Sequence, residues 1–132
     1  IPNNLTPLIV TPGIEKYRIT FQEPFRTIIQ GADEAITKAK AFFCIGYGFN
    51  DQHLQAKIVE RCDHEKVPLI LITKEITETA KKFFSSSRCK NYVAIEKFKS
   101  GIKVYTNDLP DGVEYPNAEP AWQLDKFMDL IC

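Results

Sequence analysis

The chain has 132 residues, of which 44% are hydrophobic and 26% charged, and 17 basic and 17 acidic side chains give it zero net charge. This length and composition fit one globular domain and exclude a disordered, collagenous or coiled-coil protein. We expect no membrane contact, because no apolar run approaches the roughly 18 residues of a spanning helix. We also expect no direct nucleic-acid binding, which a basic chain would favour.

The beginning of the chain predicts short extended segments. Leu8-Ile9-Val10 lies between prolines, and residues 17–21 alternate between apolar and polar side chains. The first residue is Ile1 rather than a methionine, and no signal peptide is visible, so we expect a processed chain or a fragment of a longer one. Pro24 then suits the first position of a helix.

That first helix is predicted by apolar residues that recur every three or four positions over four turns. Its apolar face consists of Phe25, Ile28, Ile29, Ala32, Ala35, Ile36 and Ala39. A continuous apolar run follows and predicts a strand at residues 42–46, buried on both faces as in a parallel sheet. After the turn at residues 46–49, Asn50 and Asp51 supply the N-cap of a second helix that runs to about Lys66.

The rest of the chain repeats this alternation. Residues 69–72 and 92–95 predict two further buried strands, residues 102–106 a short strand and residues 108–120 a loop. Pro120 is expected to start the last helix. The side chains expected to face inward from the last three helices are Leu54, Ile58, Val59 and Cys62; Ile76, Ala80, Phe83 and Phe84; and Leu124, Phe127, Met128 and Ile131.

Strands that alternate with helices at this spacing indicate βαβ units. We therefore predict a Rossmann-like three-layer α/β fold with a mainly parallel sheet, in which strands 42–46, 69–72 and 92–95 are adjacent. It forms a single domain over residues 1–132 or part of a larger domain. Because ligands bind outside the carboxyl ends of such strands, the candidate site lies at residues 46–51, 73–75 and 96–99.

The glycine turn at residues 46–51 stands where a phosphate would bind, between a strand and a helix N-terminus. It departs from the dinucleotide fingerprint, because Asp51 occupies the position of the third glycine and its carboxylate would repel a phosphate lodged there. The alternative is a tight turn in which Asp51 only caps the helix. His53, in the first turn of that helix, either faces solvent or a loop carbonyl, or faces the crevice. We expect His64 at the surface.

Charge is unevenly distributed along the chain. Residues 74–107 carry eight basic and three acidic side chains, whereas residues 108–132 carry one basic and six acidic. Either the acidic tail folds beside the basic stretch, or the basic stretch faces an anionic ligand such as a phosphate.

The four cysteines have no C-x-x-C spacing. We expect a buried Cys44, no disulfide, no metal site and, from reduced thiols, a cytoplasmic location.

Residues 42–54, an apolar strand followed by Gly-Tyr-Gly-Phe and Asn-Asp-Gln-His-Leu, resemble the second half of the divergent sirtuin-like domains of bacterial NAD-consuming proteins. Residues 7–12, 16–17, 23–24 and 68–73 are also similar, so the resemblance covers roughly residues 7–96. The Gly-Ala-Gly loop, Asn-x-Asp segment and catalytic histidine of that family are absent from the matched residues. The cysteines also do not form the zinc knuckle of protein deacylases.

The resemblance implies that the chain is the C-terminal half of an NAD-binding domain from a sirtuin-like NAD-consuming hydrolase. Catalytic residues are then expected upstream, and the chain alone is expected to be inactive. The cofactor would be NAD or ADP-ribose, and further partners would be the rest of the parent chain or an oligomer. The alternative is a non-enzymatic module that senses an adenine nucleotide or ADP-ribose, or mediates protein assembly.

The resemblance also assigns roles to residues. Gly46, Tyr47 and Gly48 would approach the pyrophosphate or the nearby ribose, and Asp51 would accept a hydrogen bond from a ribose hydroxyl or pin the loop. Thr73 and Lys74 would contact the adenosine side, where Thr73 stands in place of the asparagine of ordinary sirtuins. The full set of predicted cofactor-binding residues is Gly46, Tyr47, Gly48, Phe49, Asp51, His53, Thr73 and Lys74.

Overall fold

The computed structural model describes residues 25–132, which form a mixed α/β unit. The helices are α1 (Phe25–Lys38), α2 (Gln52–His64), α3 (Glu78–Ser85) and α4 (Leu124–Ile131). The strands are β1 (Phe42–Ile45), β2 (Leu69–Thr73), β3 (Tyr92–Phe98), β4 (Gly101–Thr106) and β5 (Val113–Tyr115). The extended segments predicted at 8–10 and 17–21 lie outside the described residues.

The five strands form one sheet in the order β1-β2-β3-β4-β5. β1, β2 and β3 are parallel, with Phe42 opposite Leu69 and Leu69 opposite Tyr92, which confirms the predicted adjacent parallel strands. β4 and β5 continue the sheet antiparallel, through a tight β3–β4 connection that pairs Phe98 with Gly101. The sheet is therefore parallel in its first part and antiparallel in its second.

Successive side chains along a strand point to opposite faces of the sheet. The strand residues therefore belong to two separate hydrophobic clusters, one on each face. Phe42, Leu71 and Ala94 point to one cluster, which they share with residues of α1, α2 and α3. Ile72 and Ile95 point to the other, which they share with Phe127 of α4. The continuous apolar runs of β2 and β3 are thus explained by burial on both faces.

Three predictions about burial need correction. β1 forms an edge of the described sheet, and Ile45 is 41% exposed, so this strand is not buried on both faces. In α1 the predicted apolar face is only partly covered, because Ile36 is buried while Ile28 is 60% exposed. In α4, Leu124 and Ile131 are likewise exposed, and Phe127 is the buried anchor.

Element boundaries also differ from prediction, and the last helix begins at Leu124 rather than at Pro120. The loop expected at residues 108–120 contains β5, which is only three residues long and pairs with β4. The third helix begins at Glu78, so buried Ile76 belongs to the loop before it. The inward stripe of α2 is confirmed, since Leu54, Ile58, Val59 and Cys62 are all buried. Within residues 25–132, none of the helices has the length and apolar character that crossing a membrane requires.

Candidate functional site

The parallel strands β1, β2 and β3 end at the same side of the sheet, where three loops meet. We call this region the carboxyl edge and define it as residues 46–51, 73–77 and 96. Two backbone hydrogen bonds join its loops: the Gly46 N–H donates to the Ile72 carbonyl at 2.8 Å, and the Lys97 N–H donates to the Lys74 carbonyl at 3.2 Å. The predicted site segments are therefore neighbours in space.

The two glycines of the turn have different tasks. Gly46 has a φ of +62°, a conformation that L side chains rarely adopt, and a Cβ placed there would meet no atom within 4 Å. A Cβ on Gly48 would instead lie 2.9 Å from Asn50 Nδ2 and 3.1 Å from Thr77 Cγ2. Gly46 thus leaves open space beside the turn, whereas Gly48 allows the turn to pack against the start of α3.

Tyr47 and Phe49 direct their side chains into the core. Their rings are 4.6 Å apart, and the Phe49 ring lies 5.2 Å from that of Phe83. Phe49 is fully buried despite a φ of +58°, which shows how firmly the aromatic cluster fixes the turn. Tyr47 and Phe49 were both predicted to bind the cofactor. Because their side chains are buried, only their backbone atoms can contact a ligand without rearrangement of the core.

Asp51 is the N-cap of α2, as predicted. Its Oδ1 accepts hydrogen bonds from the His53 and Leu54 N–H groups at 3.1 and 3.2 Å. These are two of the backbone donors that a helix N-terminus leaves without intrahelical partners. The capping role is thus established, and it holds the carboxylate at the carboxyl edge.

The start of α3 is fastened to the same edge by residues outside the predicted set. Thr77 caps α3 by accepting from the Ala80 N–H, and its hydroxyl donates to the Gly48 carbonyl. Glu96 accepts from the Ile76 N–H at 2.9 Å and from the Tyr105 hydroxyl at 2.8 Å. Burial, reinforced by the Glu96 carboxylate, raises the pKa of Tyr105 well above its usual range.

A sequence signal existed for each of these two residues. Thr77 precedes an amphipathic run, as an N-cap does, and Glu96 ends an apolar strand inside one of the three predicted loops. Gly48 lies 29 residues from Thr77, so the sequence pattern does not pair them, whereas Tyr105 lies nine residues from Glu96 on the adjacent strand β4.

Thr73 and Lys74 end β2 at this edge. The Thr73 hydroxyl donates to the Glu75 carbonyl at 3.3 Å, and Thr73 is half-buried. Lys74 is exposed, so its ammonium is accessible to an anion in solution. These two residues offer a hydroxyl and a positive charge next to the glycine turn.

His53 faces α1 rather than the strand ends. Its Nε2 lies 3.3 Å from Asp33 Oδ1, while Lys57 Nζ lies 2.7 Å from Asp33 Oδ2. The three side chains form a mixed-charge group between α1 and α2, and His53 is exposed there, in line with the solvent-facing alternative rather than the crevice. His64 is exposed at the far end of α2, as predicted.

The basic and acidic segments make contact in one described ion pair. Lys103 Nζ lies 3.8 Å from Glu114 Oε1, and Lys97 Nζ lies 6.0 Å from the centre of the Trp122 ring in the C-terminal segment. Both contacts bring the C-terminal segment beside the basic stretch, which favours the folded-back alternative for these two lysines.

All four cysteines lie in the described part of the chain as thiols outside any disulfide, and Cys44 is buried as predicted. Within residues 25–132 no group of three or more histidine, cysteine or carboxylate side chains could hold a metal ion.

Comparison with protein-family models, curated proteins and solved structures finds no match to the chain. The resemblance to sirtuin-like domains therefore stays a prediction that rests on the sequence motif alone.

Proposed function

We propose that the carboxyl edge binds NAD or ADP-ribose, and that the chain is the NAD-binding portion of a sirtuin-like NAD-consuming hydrolase with a Rossmann-like three-layer fold. One observation carries this proposal: an open glycine turn leads from a parallel strand into the N-terminus of α2, beside the hydroxyl and ammonium at the end of the next strand. Strand ends of this kind are where nucleotides bind in parallel sheets.

The charges at the edge suggest how a dinucleotide would lie. The diphosphate would avoid the Asp51 carboxylate and lie over Gly46, within reach of Lys74. A ribose would approach Asp51 and Thr73, whose oxygens accept hydrogen bonds from sugar hydroxyls. Tyr47, Gly48 and Phe49 would shape the turn through their backbone, and His53 would act through its contact with Asp33.

The order of the parallel strands supports the idea that this chain forms only one side of the ligand crevice. β1, β2 and β3 follow one another in a single direction across the sheet. In a doubly wound sheet the ligand crevice lies where this direction reverses, and the described strands contain no reversal. A complete crevice would need strands on the far side of β1, which residues 25–132 do not supply.

Hydrolysis would also depend on other parts of that protein. The chain has two histidines, of which His53 contacts Asp33 and His64 lies far from the edge. We therefore expect no nicotinamide release by this chain alone. Nicotinamide release that is lost in His53→Ala would contradict this assignment. Cysteines held as thiols rather than in disulfides suit a protein of the reducing cytoplasm.

A second candidate function is a non-enzymatic sensor of adenine nucleotide or ADP-ribose. This function is favoured because both carboxylates at the carboxyl edge already form structural hydrogen bonds. Asp51 caps α2, and Glu96 accepts from the Ile76 N–H and the Tyr105 hydroxyl. A sensor requires binding and no acid–base pair. Titration with ADP-ribose combined with a nicotinamide-release assay on the parent protein separates the two functions.

Calorimetry on the Asp51→Asn variant of the parent protein, which would hold the complete crevice, tests the binding proposal. Asparagine caps a helix about as well as aspartate, so folding should be nearly unaffected. Loss of a charged hydrogen bond to a ribose should weaken binding of NAD or ADP-ribose by roughly 10- to 150-fold. If Asp51→Asn binds NAD or ADP-ribose with wild-type affinity, Asp51 serves only as the helix cap and the site loses its main support.

A matched lysine pair tests the placement of the diphosphate. Lys74→Gln removes the charge at the carboxyl edge, while Lys40→Gln removes an exposed charge from the residues before β1, at the opposite edge. Lys74→Gln should weaken ADP-ribose binding several-fold and Lys40→Gln should not. Equal effects would indicate attraction by overall charge rather than a site.

A further inference from the structure

Three of the four cysteines lie in the same hydrophobic cluster, although the sequence separates them widely. Cys44 is in β1, Cys62 is near the end of α2 and Cys89 is in the loop before β3. Cys62 and Cys89 are 0% and 1% exposed. Asp63, next to Cys62, contacts both Arg88 and Lys90, so the chain segments that carry Cys62 and Cys89 lie side by side in this cluster.

Polar contacts of the neighbouring residues hold the segments around Cys62 and Cys89 together. Asp63, next to Cys62, lies 3.2 Å from Arg88 Nε and 3.5 Å from Lys90 Nζ, the residues that flank Cys89. The Asn107 side chain donates to the Cys89 carbonyl at 2.8 Å. We call the loop at residues 86–91 the cysteine loop.

The cysteine loop lies on the surface with one side chain turned inward. Its other five residues are exposed, and Ser87 has a φ of +64°. Opening this loop would expose Cys89 without disturbing the sheet.

We propose that Cys62 and Cys89 are a redox-sensitive pair that a small peroxide converts into an intramolecular disulfide. This modification site is independent of the proposed nucleotide binding. It revises the sequence-based expectation of no disulfide, which rested on spacing and could not show that the segments around residues 62 and 89 lie side by side.

The chemistry starts at Cys89. The nearby Cys62 thiol lowers the pKa of Cys89 by more than burial raises it, and the Asn91 backbone lowers it further, so the Cys89 thiolate is the better nucleophile. The thiolate attacks one peroxide oxygen, an S–O bond forms, the O–O bond breaks and water leaves after protonation. The Cys62 sulfur then displaces the hydroxyl, the S–S bond forms, and the proton of Cys62 leaves in a second water molecule.

Cys44 is expected to take no part. Burial raises the pKa of Cys44 to about 12, so its thiol stays protonated and is a poor nucleophile. It therefore provides an internal control in the same cluster.

Mapping the disulfide in the full chain tests the proposal. A Cys132→Ser variant, which lacks the exposed thiol, is treated with hydrogen peroxide under native conditions, alkylated and digested with trypsin without reduction. Cleavage after Arg61, Lys66, Arg88 and Lys90 gives peptides 62–66 and 89–90. We expect these two peptides to be linked, with a mass lower by two hydrogen atoms, and to separate on reduction.

Controls decide between this pair and other oxidation products. The linked peptides should persist in Cys44→Ala and disappear in Cys89→Ala. Linkage of Cys44 to either partner, sulfinic acid without a disulfide, or reaction only in denaturant would each overturn the proposal. Since the oxidation map of the folded Cys132→Ser chain is decisive by itself, the test does not depend on core variants that fail to fold.

The rate of oxidation provides a second readout. If Asp63 holds the cysteine loop closed, Asp63→Asn should speed disulfide formation several-fold, because the loop opens more often. Glu65→Gln, which changes a neighbouring exposed carboxylate, should leave the rate unchanged. A rate that does not respond to Asp63→Asn would contradict control by loop opening.

Discussion

Asp51 shows what a single residue contributes to the candidate site. Its carboxylate satisfies two N–H groups of α2, so Asp51→Ala should lower the free energy of unfolding by about 1 kcal/mol. Asp51→Asn should lower it by much less, because the amide oxygen still caps the helix. Urea denaturation of both variants measures this difference. A loss of equal size in both would mean that the negative charge, rather than the cap, stabilises the helix.

Gly48 is the residue at which the turn is most crowded. A methyl group there meets the stiff Thr77 side chain, so Gly48→Ala should cost about 1 kcal/mol of stability. Thr77→Ser keeps the hydroxyl that caps α3 and removes the opposing methyl group. Gly48→Ala should therefore cost less in the Thr77→Ser background, and additive effects in this double-mutant cycle would contradict the steric explanation.

At the scale of elements, Arg61 couples two helices. From α2 its Nη1 donates to the Ile36 carbonyl at 2.7 Å and to the Ala39 carbonyl, while its Nε and Nη2 donate to Glu65. The end of α1 leaves carbonyls without intrahelical partners, and a cation there also opposes the helix dipole.

Arg61→Met should therefore destabilise the protein by roughly 1–3 kcal/mol, since two partly buried carbonyls lose a charged donor. Glu65→Ala breaks only an exposed pair and should cost at most about 0.5 kcal/mol. Chemical denaturation of both variants provides the comparison. Similar losses would show that the pair with Glu65, rather than the bonds to α1, carries the effect.

Asp63 couples α2 to the cysteine loop in a pH-dependent way. The Arg88 hydrogen bond and nearby Lys90 and His64 hold the pKa of Asp63 below its usual value of about 4. Because the unfolded chain then binds the proton first, the stabilisation is complete above about pH 4 and is lost as pH falls through the folded pKa.

Asp63→Asn should accordingly be less stable than wild type at pH 6, with a difference that shrinks below pH 4. Thermal melts over this range measure it. A difference that stays constant down to pH 2 would exclude the ion pairs as its cause.

The elements that the sequence predicts well are those whose burial is uniform. Apolar runs such as residues 69–72 require a strand covered on both faces, and the stripe of α2 requires one buried helix face. Ile28 and Leu124 fit helical periodicity equally well and yet are exposed, because periodicity places residues on one face without saying what covers it. The sequence does not predict β5, because a strand of three residues between prolines is too short to show an alternating pattern.

For the candidate site, the sequence predicts position better than function. The order of strand, glycine turn and capped helix located the carboxyl edge, since parallel strands end together. The inward direction of Tyr47 and Phe49 could not be predicted, because it depends on Phe83, more than thirty residues away. The same applies to the tie between Thr77 and Gly48 and to the proximity of Cys62 to Cys89.

Across the whole sheet, the antiparallel and parallel parts differ in role: the first is structural, and the second carries the candidate site. The antiparallel part, β4 and β5, joins the parallel strands through Tyr105 and Glu96 and braces the loop before α3. The parallel part ends in the carboxyl edge, where an open glycine turn, a hydroxyl and an exposed lysine meet. We therefore place the proposed nucleotide-binding site at that edge.

The most direct test follows backbone amide resonances of the isotopically labelled full chain while ADP-ribose is added. We predict saturable shifts confined to residues 46–51 and 73–75, with little change at Lys40 and Asn91 on the opposite edge. Shifts concentrated away from the carboxyl edge, or none up to about 10 mM ligand, would contradict nucleotide binding at this site.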